Sequence, residues 1–179
     1  WSPDGRRIVY ASARRDTNGD GKINQHDLSG IYLQDLATSR EHCLVTDEAY
    51  TFLPSFSPDG RKIVYLSCRR DTNGNGRIDY LDNAGIYVLD LERGEERSLV
   101  PDEFQNKYPS FSPDGRHVVY TSWRNPHDRS GVWMVDPASG RETRLVSDRF
   151  DNAFPSWSPD GERVLFSTWR NDTNEDGRL

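Results

Sequence analysis

An all-β fold of four-stranded antiparallel units in tandem is predicted by three observations. One block of sequence recurs at near-constant spacing, which decides architecture before any local reasoning begins. Each block holds the same succession of short β-branched and aromatic runs. No stretch carries the apolar period of a helix. The blocks open at Trp1-Ser2-Pro3-Asp4-Gly5, Phe56-Ser57-Pro58-Asp59-Gly60, Phe111-Ser112-Pro113-Asp114-Gly115 and Trp157-Ser158-Pro159-Asp160-Gly161. Their serines stand at 2, 57, 112 and 158, at intervals of 55, 55 and 46. A second landmark is a Gly before a strand, in Gly30-Ile31-Tyr32, Gly85-Ile86-Tyr87 and Gly131-Val132-Trp133. From that Gly to the next repeated Ser the distance is always 27, whereas from Ser to Gly it is 28, 28 and 19. The nine-residue difference therefore lies in one segment. A segment that comes and goes as a unit is an insertion in a connection, where closure entropy grows only slowly with length.

The second block illustrates the elements in order. Residues 51–56 form a short strand whose Pro54 suits an edge or a strand end, where no ladder donor is missed. Ser57 to Gly60 is a tight turn: Pro presets φ, Asp bonds nearby backbone, and Gly takes φ > 0. Residues 62–67, dense in Ile, Val and Tyr, form a strand buried on both faces. The insertion follows. Residues 85–91 are a third strand, and Glu92-Arg93-Gly94-Glu95 is a hairpin turn, matched by Ala37-Thr38-Ser39-Arg40 and Pro137-Ala138-Ser139-Gly140. Residues 96–100 are a fourth strand with the polar character of an outer edge. Four-stranded units in tandem are the pattern of a β-propeller. Residues 1–179 then hold a partial array with repeats starting near 1, 51, 107 and 153. That is two complete blades, a nearly complete one at the start and half of another at the end, about three to four in all. Such an array is too short to close a ring of six or more, so further blades in a longer parent chain, or self-association, are expected.

The succession Phe/Tyr/Leu-Pro-Ser-Phe/Trp-Ser-Pro-Asp-Gly, then Ile-Val-Tyr-x-Ser, then Gly-Ile-Tyr-Val-x-Asp resembles the TolB-type propeller repeat. It covers essentially the whole chain. The resemblance implies the fold. It leaves function open, because similar repeats occur in periplasmic TolB proteins, in propellers of prolyl-oligopeptidase-like peptidases and in tricorn-type proteases.

The insertions read as calcium loops. Calcium takes about six to eight oxygen ligands, and a loop of about twelve residues can supply them from its first, third, fifth, seventh, ninth and twelfth positions around a central Gly. Residues 16–27 offer Asp16, Asn18, Asp20, the Lys22 carbonyl, Asn24 and Asp27, with Gly21 at the turn. Residues 71–82 offer Asp71, Asn73, Asn75, the Arg77 carbonyl, Asp79 and Asp82, with Gly76 at the turn. Ile23 and Ile78 hold the apolar eighth position. A third loop, 172–179, begins with Asp172, Asn174 and Asp176 and stops before its last ligands. Each complete loop keeps three carboxylates, since Asp79 offsets the Asn at position 75. The last ligand is Asp, as in dockerin-type loops, and no helices flank it. The alternative is a polar surface turn that binds nothing. Magnesium, which holds its waters and octahedral geometry tightly, suits such a cage less well. The expected role of the ion is structural.

Composition narrows the remaining possibilities. The formal net charge is −6 and no basic run tracks a nucleic-acid backbone. Apolar residues make up only 34 %, yet five Trp, eight Tyr and seven Phe recur in register, against disorder. No stretch approaches the ~18 apolar residues of a membrane span. Cys43 and Cys68 read as two buried free thiols, a bridge between them remaining an alternative. The basic residues Arg14-Arg15, Arg69-Arg70, Arg124 and Arg170 recur after the second strand and are expected to pair with nearby loop carboxylates. The four turn aspartates serve their turns. No nucleophile elbow is present, and His26, His42, His117 and His127 share no repeat position. Trp123, Trp133 and Trp169 are expected in the core. The expected function is a non-enzymatic, calcium-binding scaffold for protein–protein interaction or assembly outside the cytoplasm, periplasmic or secreted. The alternatives are the propeller part of a larger enzyme, such as a prolyl-oligopeptidase-like peptidase, and a structural subunit of a multi-protein complex.

Overall fold

The computed structural model describes residues 1–124, 129–146 and 150–169. Its strands form four antiparallel sheets that follow one another along the chain. The first is β1 (Arg7–Ser12), β2 (Gly30–Asp35) and β3 (Glu41–Val45). The second is β4 (Tyr50–Phe56), β5 (Lys62–Cys68), β6 (Gly85–Asp90) and β7 (Glu96–Val100). The third is β8 (Gln105–Phe111), β9 (Val118–Trp123), β10 (Gly131–Val135) and β11 (Glu142–Arg144), and the fourth pairs β12 (Asn152–Trp157) with β13 (Val164–Thr168). Within each sheet sequential strands are neighbours. These are blades of a β-propeller, three strands, four, four and two.

The alternation of side chains along β5 explains how blades stack. Ile63 and Tyr65 face the first blade, in a cluster with Ile31 and Leu33. Val64 and Leu66 face the third, in a cluster with Phe111, Val118 and Tyr120. A strand sandwiched between two blades must be apolar on both faces, and β5 is buried from Ile63 to Cys68. The outermost strand meets no such demand, and Glu96, Arg97 and Ser98 of β7 are exposed.

The repeated turns add a side-chain pair to the geometry that their residue types suggest. In the second blade Ser57 Oγ donates to Asp59 Oδ1 at 2.6 Å, and that oxygen also accepts the Arg61 N–H at 3.1 Å. The Lys62 N–H closes the turn by donating to Ser57 Oγ at 2.9 Å. The same Ser–Asp pair recurs at Ser2–Asp4, Ser112–Asp114 and Ser158–Asp160. The glycines take the φ > 0 that the turn requires, 69° at Gly60.

Pro54 lies within β4 rather than at its end, and a bulge resolves the conflict. The register of β4 against β5 shifts between Phe52 and Ser55. The two equivalent strands shift between Lys107 and Ser110 and between Ala153 and Ser156. Each prolyl nitrogen thus falls where the ladder has no bond to lose. The residue before it turns left-handed: φ is 51° at Leu53, 58° at Tyr108 and 55° at Phe154. Such a conformation costs roughly 1–2 kcal/mol for a side chain with a Cβ.

Two expectations need correction. Cys43 and Cys68 are both free, but only Cys68 is buried. Cys43 is exposed on β3, an outer strand whose first three residues are all exposed. Trp169 is 45 % exposed rather than in the core; it follows β13, the last strand of the fourth sheet among the described residues. Trp123 and Trp133 are half-buried.

Candidate metal-binding loops

Loops 16–27 and 71–82 connect the second and third strands of a blade's repeat, β1 to β2 and β5 to β6. Their side-chain oxygens build the turns. Asp16 accepts the N–H of Gly19 at 2.7 Å and of Gly21 at 2.8 Å, one on each carboxylate oxygen. Asn18 Oδ1 accepts from Asp20 N at 2.9 Å, and Asp20 Oδ1 from Lys22 N at 2.8 Å. Asn24 Oδ1 accepts from His26 N at 2.8 Å. The second loop repeats this pattern with Asp71 on Gly74 and Gly76, Asn73 on Asn75, Asn75 on Arg77, and Asp79 on Leu81. Gly21 and Gly76 take φ of 81° and 82°, which a residue with a Cβ resists.

The twelfth residue has a task that ligand counting did not foresee. Asp27 is fully buried and Asp82 is 2 % exposed. Asp27 Oδ1 accepts the Thr17 N–H at 2.7 Å and the Asn18 N–H at 3.2 Å, while Oδ2 accepts the Asn24 N–H at 2.9 Å. Asp82 does the same with Thr72, Asn73 and Asp79. Each carboxylate thus ties the two ends of its loop together. Backbone donors, that of Asn24 foremost, hold the Asp27 pKa below its ordinary 3.8. Burial pushes the other way at Asp82, but its three backbone donors prevail and its pKa is also lowered.

Among the described residues no group of three or more His, Cys, Asp or Glu side chains stands at metal-binding separation. The candidate donors are arranged around each loop and mixed with amide and carbonyl oxygens. As a donor set they fit calcium: all oxygen, six positions, three carboxylates and a Gly-centred turn. Asp172, Asn174 and Asp176 of the third loop lie outside the described residues, as do Arg170 and His127.

The recurring arginines find two kinds of partner. Arg15 and Arg70 meet carboxylates in the inter-blade connections, Asp47 at 2.6 Å and Asp102 at 2.5 Å. Arg14, Arg69 and Arg124 instead reach Glu41, Glu96 and Glu142 on the outermost strands. Each also lies over an aromatic ring, Arg14 on Tyr32, Arg69 on Tyr87 at 3.8 Å and Arg124 on Trp133 at 3.8 Å. The same glutamates accept the hydroxyls of Tyr10, Tyr65 and Tyr120. The loop-carboxylate expectation therefore holds for Arg15 and Arg70 and fails for Arg14, Arg69 and Arg124, because the Glu of the outermost strand reaches across the third strand to the tyrosine hydroxyl of the second.

Stability should fall in acid because of these pairs. The Arg15 bond lowers the pKa of Asp47, and the Arg70 bond lowers that of Asp102, in each case from 3.8. A carboxylate with a depressed folded pKa stabilises fully above its unfolded pKa and loses that contribution as pH falls through the folded value. Urea midpoints are expected to stay level from about pH 7 to 5 and to drop below about pH 4. In Asp47→Asn/Asp102→Asn the drop should be shallower.

Buried Cys68 sits beneath the second loop, its thiol donating to the Asp82 carbonyl at 3.4 Å. Burial, with Asp82, Asp79 and Asp102 nearby, pushes its pKa up to about 12, so it is a poor nucleophile. Elsewhere a mostly apolar recess of about 320 Å³ is lined by Lys107, Tyr108, Trp123, Phe154 and Trp169. There the Tyr108 and Phe154 rings lie 4.3 Å apart. Among the described residues no helix is long and apolar enough to cross a membrane.

A family model described as the TolB beta propeller domain matches residues 1–175. Dipeptidyl-peptidase 5 of Porphyromonas gingivalis is 30 % identical over 122 residues, 67 % of this chain and 16 % of that protein. The Tol-Pal system protein TolB of Alcanivorax borkumensis is 32 % identical over 104 residues, 57 % of this chain and 22 % of that protein. Among solved structures, TolB from Acinetobacter baumannii gives a TM-score of 0.69 at 21 % identity, covering 93 % of this chain and 37 % of that one. The alignments with the two curated relatives thus span 16 % and 22 % of their lengths.

Proposed function

This chain belongs to the TolB β-propeller domain family, and from that premise we propose that it is a non-catalytic scaffold, stiffened by calcium in loops 16–27 and 71–82, that receives protein partners outside the cytoplasm. The observation that carries the calcium reading is the parallel construction of the two loops. Both are closed by a buried Asp and turned at a left-handed Gly, and both carry three carboxylates among six oxygen donors. In loop 16–27 the holding residues would be Asp16, Asn18, Asp20, Lys22 through its carbonyl, Asn24 and Asp27. In loop 71–82 they would be Asp71, Asn73, Asn75, Arg77 through its carbonyl, Asp79 and Asp82. A bound ion would supply positive charge among these carboxylates and carbonyls. Loops of this type in extracellular modules bind at ~10⁻⁴–10⁻³ M, which suits calcium-rich surroundings. The recess beside Tyr108 and Phe154 favours a protein partner, since aromatic clusters at the surface are common contact sites.

A second reading is the propeller part of a peptidase, favoured by the 30 % identity to dipeptidyl-peptidase 5. Catalysis would then reside in another domain of a longer chain. An α/β-hydrolase region in the same gene would decide for it.

The test is a thermal melt in calcium and in chelator, with calorimetric titration of calcium. Two ions per chain are expected. Calcium at about ten times Kd adds about 1.4 kcal/mol per loop. Together the two loops then raise Tm by about 5–10 °C for a domain of this size. No heat and no shift would leave the loops as polar turns and remove the main support for an extracytoplasmic setting.

A further inference from the structure

We propose that loops 16–27 and 71–82 open and close as one cooperative unit, so that an ion taken by one tightens the other. The calcium half of this rests on the function proposed above, whereas the mechanical coupling does not.

Two separate routes join the loops. The first is direct. The His26 ring of one loop lies 6.1 Å from the Tyr80 ring of the other, and Tyr80 lies 6.3 Å from Tyr50 of β4. A cavity of about 650 Å³ runs between them, walled by Asn18, Asp20 and His26 on one side and by Arg77, Ile78 and Asp79 on the other. The second route runs through backbone. Ser29, two residues after Asp27, bridges Tyr50. Its N–H donates to the Ala49 carbonyl at 3.1 Å and its hydroxyl to the Thr51 carbonyl at 2.6 Å. The Thr51 hydroxyl returns a bond to the Ser29 carbonyl. Both side chains are buried, so these bonds compete with little water. Across the sheet Tyr50 faces Cys68, whose thiol holds the Asp82 carbonyl of the second loop. The exit of the first loop and the closing residue of the second are therefore fastened to the same end of β4 and β5.

The asymmetry of the arrangement matters. Tyr80 is half exposed, so it is not required by the core, and its ring contacts are to the other loop and to Tyr50. Opening the first loop withdraws His26 from Tyr80 and frees Ser29 from β4. Opening the second withdraws Tyr80 from both partners. By linkage, whatever closed loop one does for loop two is returned in equal measure.

The test is amide exchange in the 179-residue chain, followed at Thr72, whose N–H donates to the closing Asp82, and at Gly74 and Gly76, whose N–H groups donate to Asp71 in the turn of the second loop. Asp27→Ala opens the first loop, and Asp16→Ala does so more gently. Either variant should speed exchange at those three amides by about fivefold or more, with the β6 amides as an unchanged control. In a Tyr80→Ala background the same change should have a smaller effect, the remainder being carried by the Ser29–Thr51 route. Calorimetry with calcium should show loop two weakened by a similar factor in Asp16→Ala. Unaltered exchange at Thr72, Gly74 and Gly76 in both first-loop variants overturns the proposal, even if two ions bind. Linked exchange in a chain that takes up no calcium keeps the coupling and removes the calcium reading.

Discussion

Tyr65→Ala is expected to cost about 4 kcal/mol of unfolding free energy, in the range for deleting a buried aromatic ring. Tyr65 is fully buried between the first and second blades, in one cluster with Ile31, Phe56 and Ile63. Its ring stacks on Tyr87 with centroids 5.8 Å apart. Its hydroxyl donates to Glu96, which also pairs with Arg69 at 2.8 Å, and Arg69 covers the outer face of Tyr87. Tyr65→Phe keeps the ring and removes only the hydroxyl. It should cost about 1.5–3 kcal/mol, the worth of a hydrogen bond to a charged acceptor. Glu96→Ala should fall near 2 kcal/mol, because it strands the buried hydroxyl while the partly exposed Arg69 regains water. Burial first, then the Glu96 bond, raises the Tyr65 pKa strongly, so the phenol stays a donor at any working pH. Urea denaturation of the three variants measures the series. Equal losses for Tyr65→Phe and Tyr65→Ala would mean that the ring contributes nothing and that blade stacking has been misjudged.

The same four-part unit shows what a single sequence makes legible. The strands, turns and tandem architecture follow from local patterns: alternating apolar runs, Ser-Pro-Asp-Gly, and a Gly that opens each third strand. The partners of the arginines do not, because Arg69 and Glu96 meet only after three strands have paired. The burial of Asp82 was hidden for a similar reason. Ligand counting treats a loop as a ring around an ion and ignores the backbone donors that need an acceptor. The exposure of Cys43 was not legible because it depends on which strand a residue joins, here an outermost one. The left-handed Leu53, Tyr108 and Phe154 carry a signal, a residue before Pro in the middle of a strand, but it points to a bulge and not to its φ. The adjacency of the two loops could have been anticipated, since equivalent connections of successive blades emerge on one side of a propeller.

Substituting Ala for the Gly that opens the third strand should destabilise in a graded order, greatest at Gly30, intermediate at Gly85 and least at Gly131. None of the three has φ > 0, so the reason is space. A Cβ on Gly30 would stand 2.6 Å from the Val45 carbonyl oxygen, a backbone atom of the neighbouring strand that cannot rotate aside. At Gly85 the nearest atoms are the Tyr87 ring at 2.9 Å and the Val100 oxygen at 3.1 Å, and the ring is held by Arg69 above it. At Gly131 the closest atoms, at 3.3 Å, belong to the Arg144 and Trp133 side chains, and the arginine can move. Overpacking of this kind costs about 1–3 kcal/mol and occasionally more, and Gly30→Ala is expected at the upper end. The motif Gly-x-aromatic is thus one device. The Gly makes room for the ring two residues on, and the ring receives the arginine that binds the outer glutamate. Gly30 also follows Ser29, which anchors the first loop to β4, so its displacement should reach the loop. Gly30→Ala should lower the urea midpoint and also speed amide exchange at Gly19 and Gly21. Gly131→Ala, in a blade without a calcium-type insertion, should leave both loops untouched. A flat series across the three positions would show that the β2–β3 pairing yields easily and that close approach is not why glycine stands there.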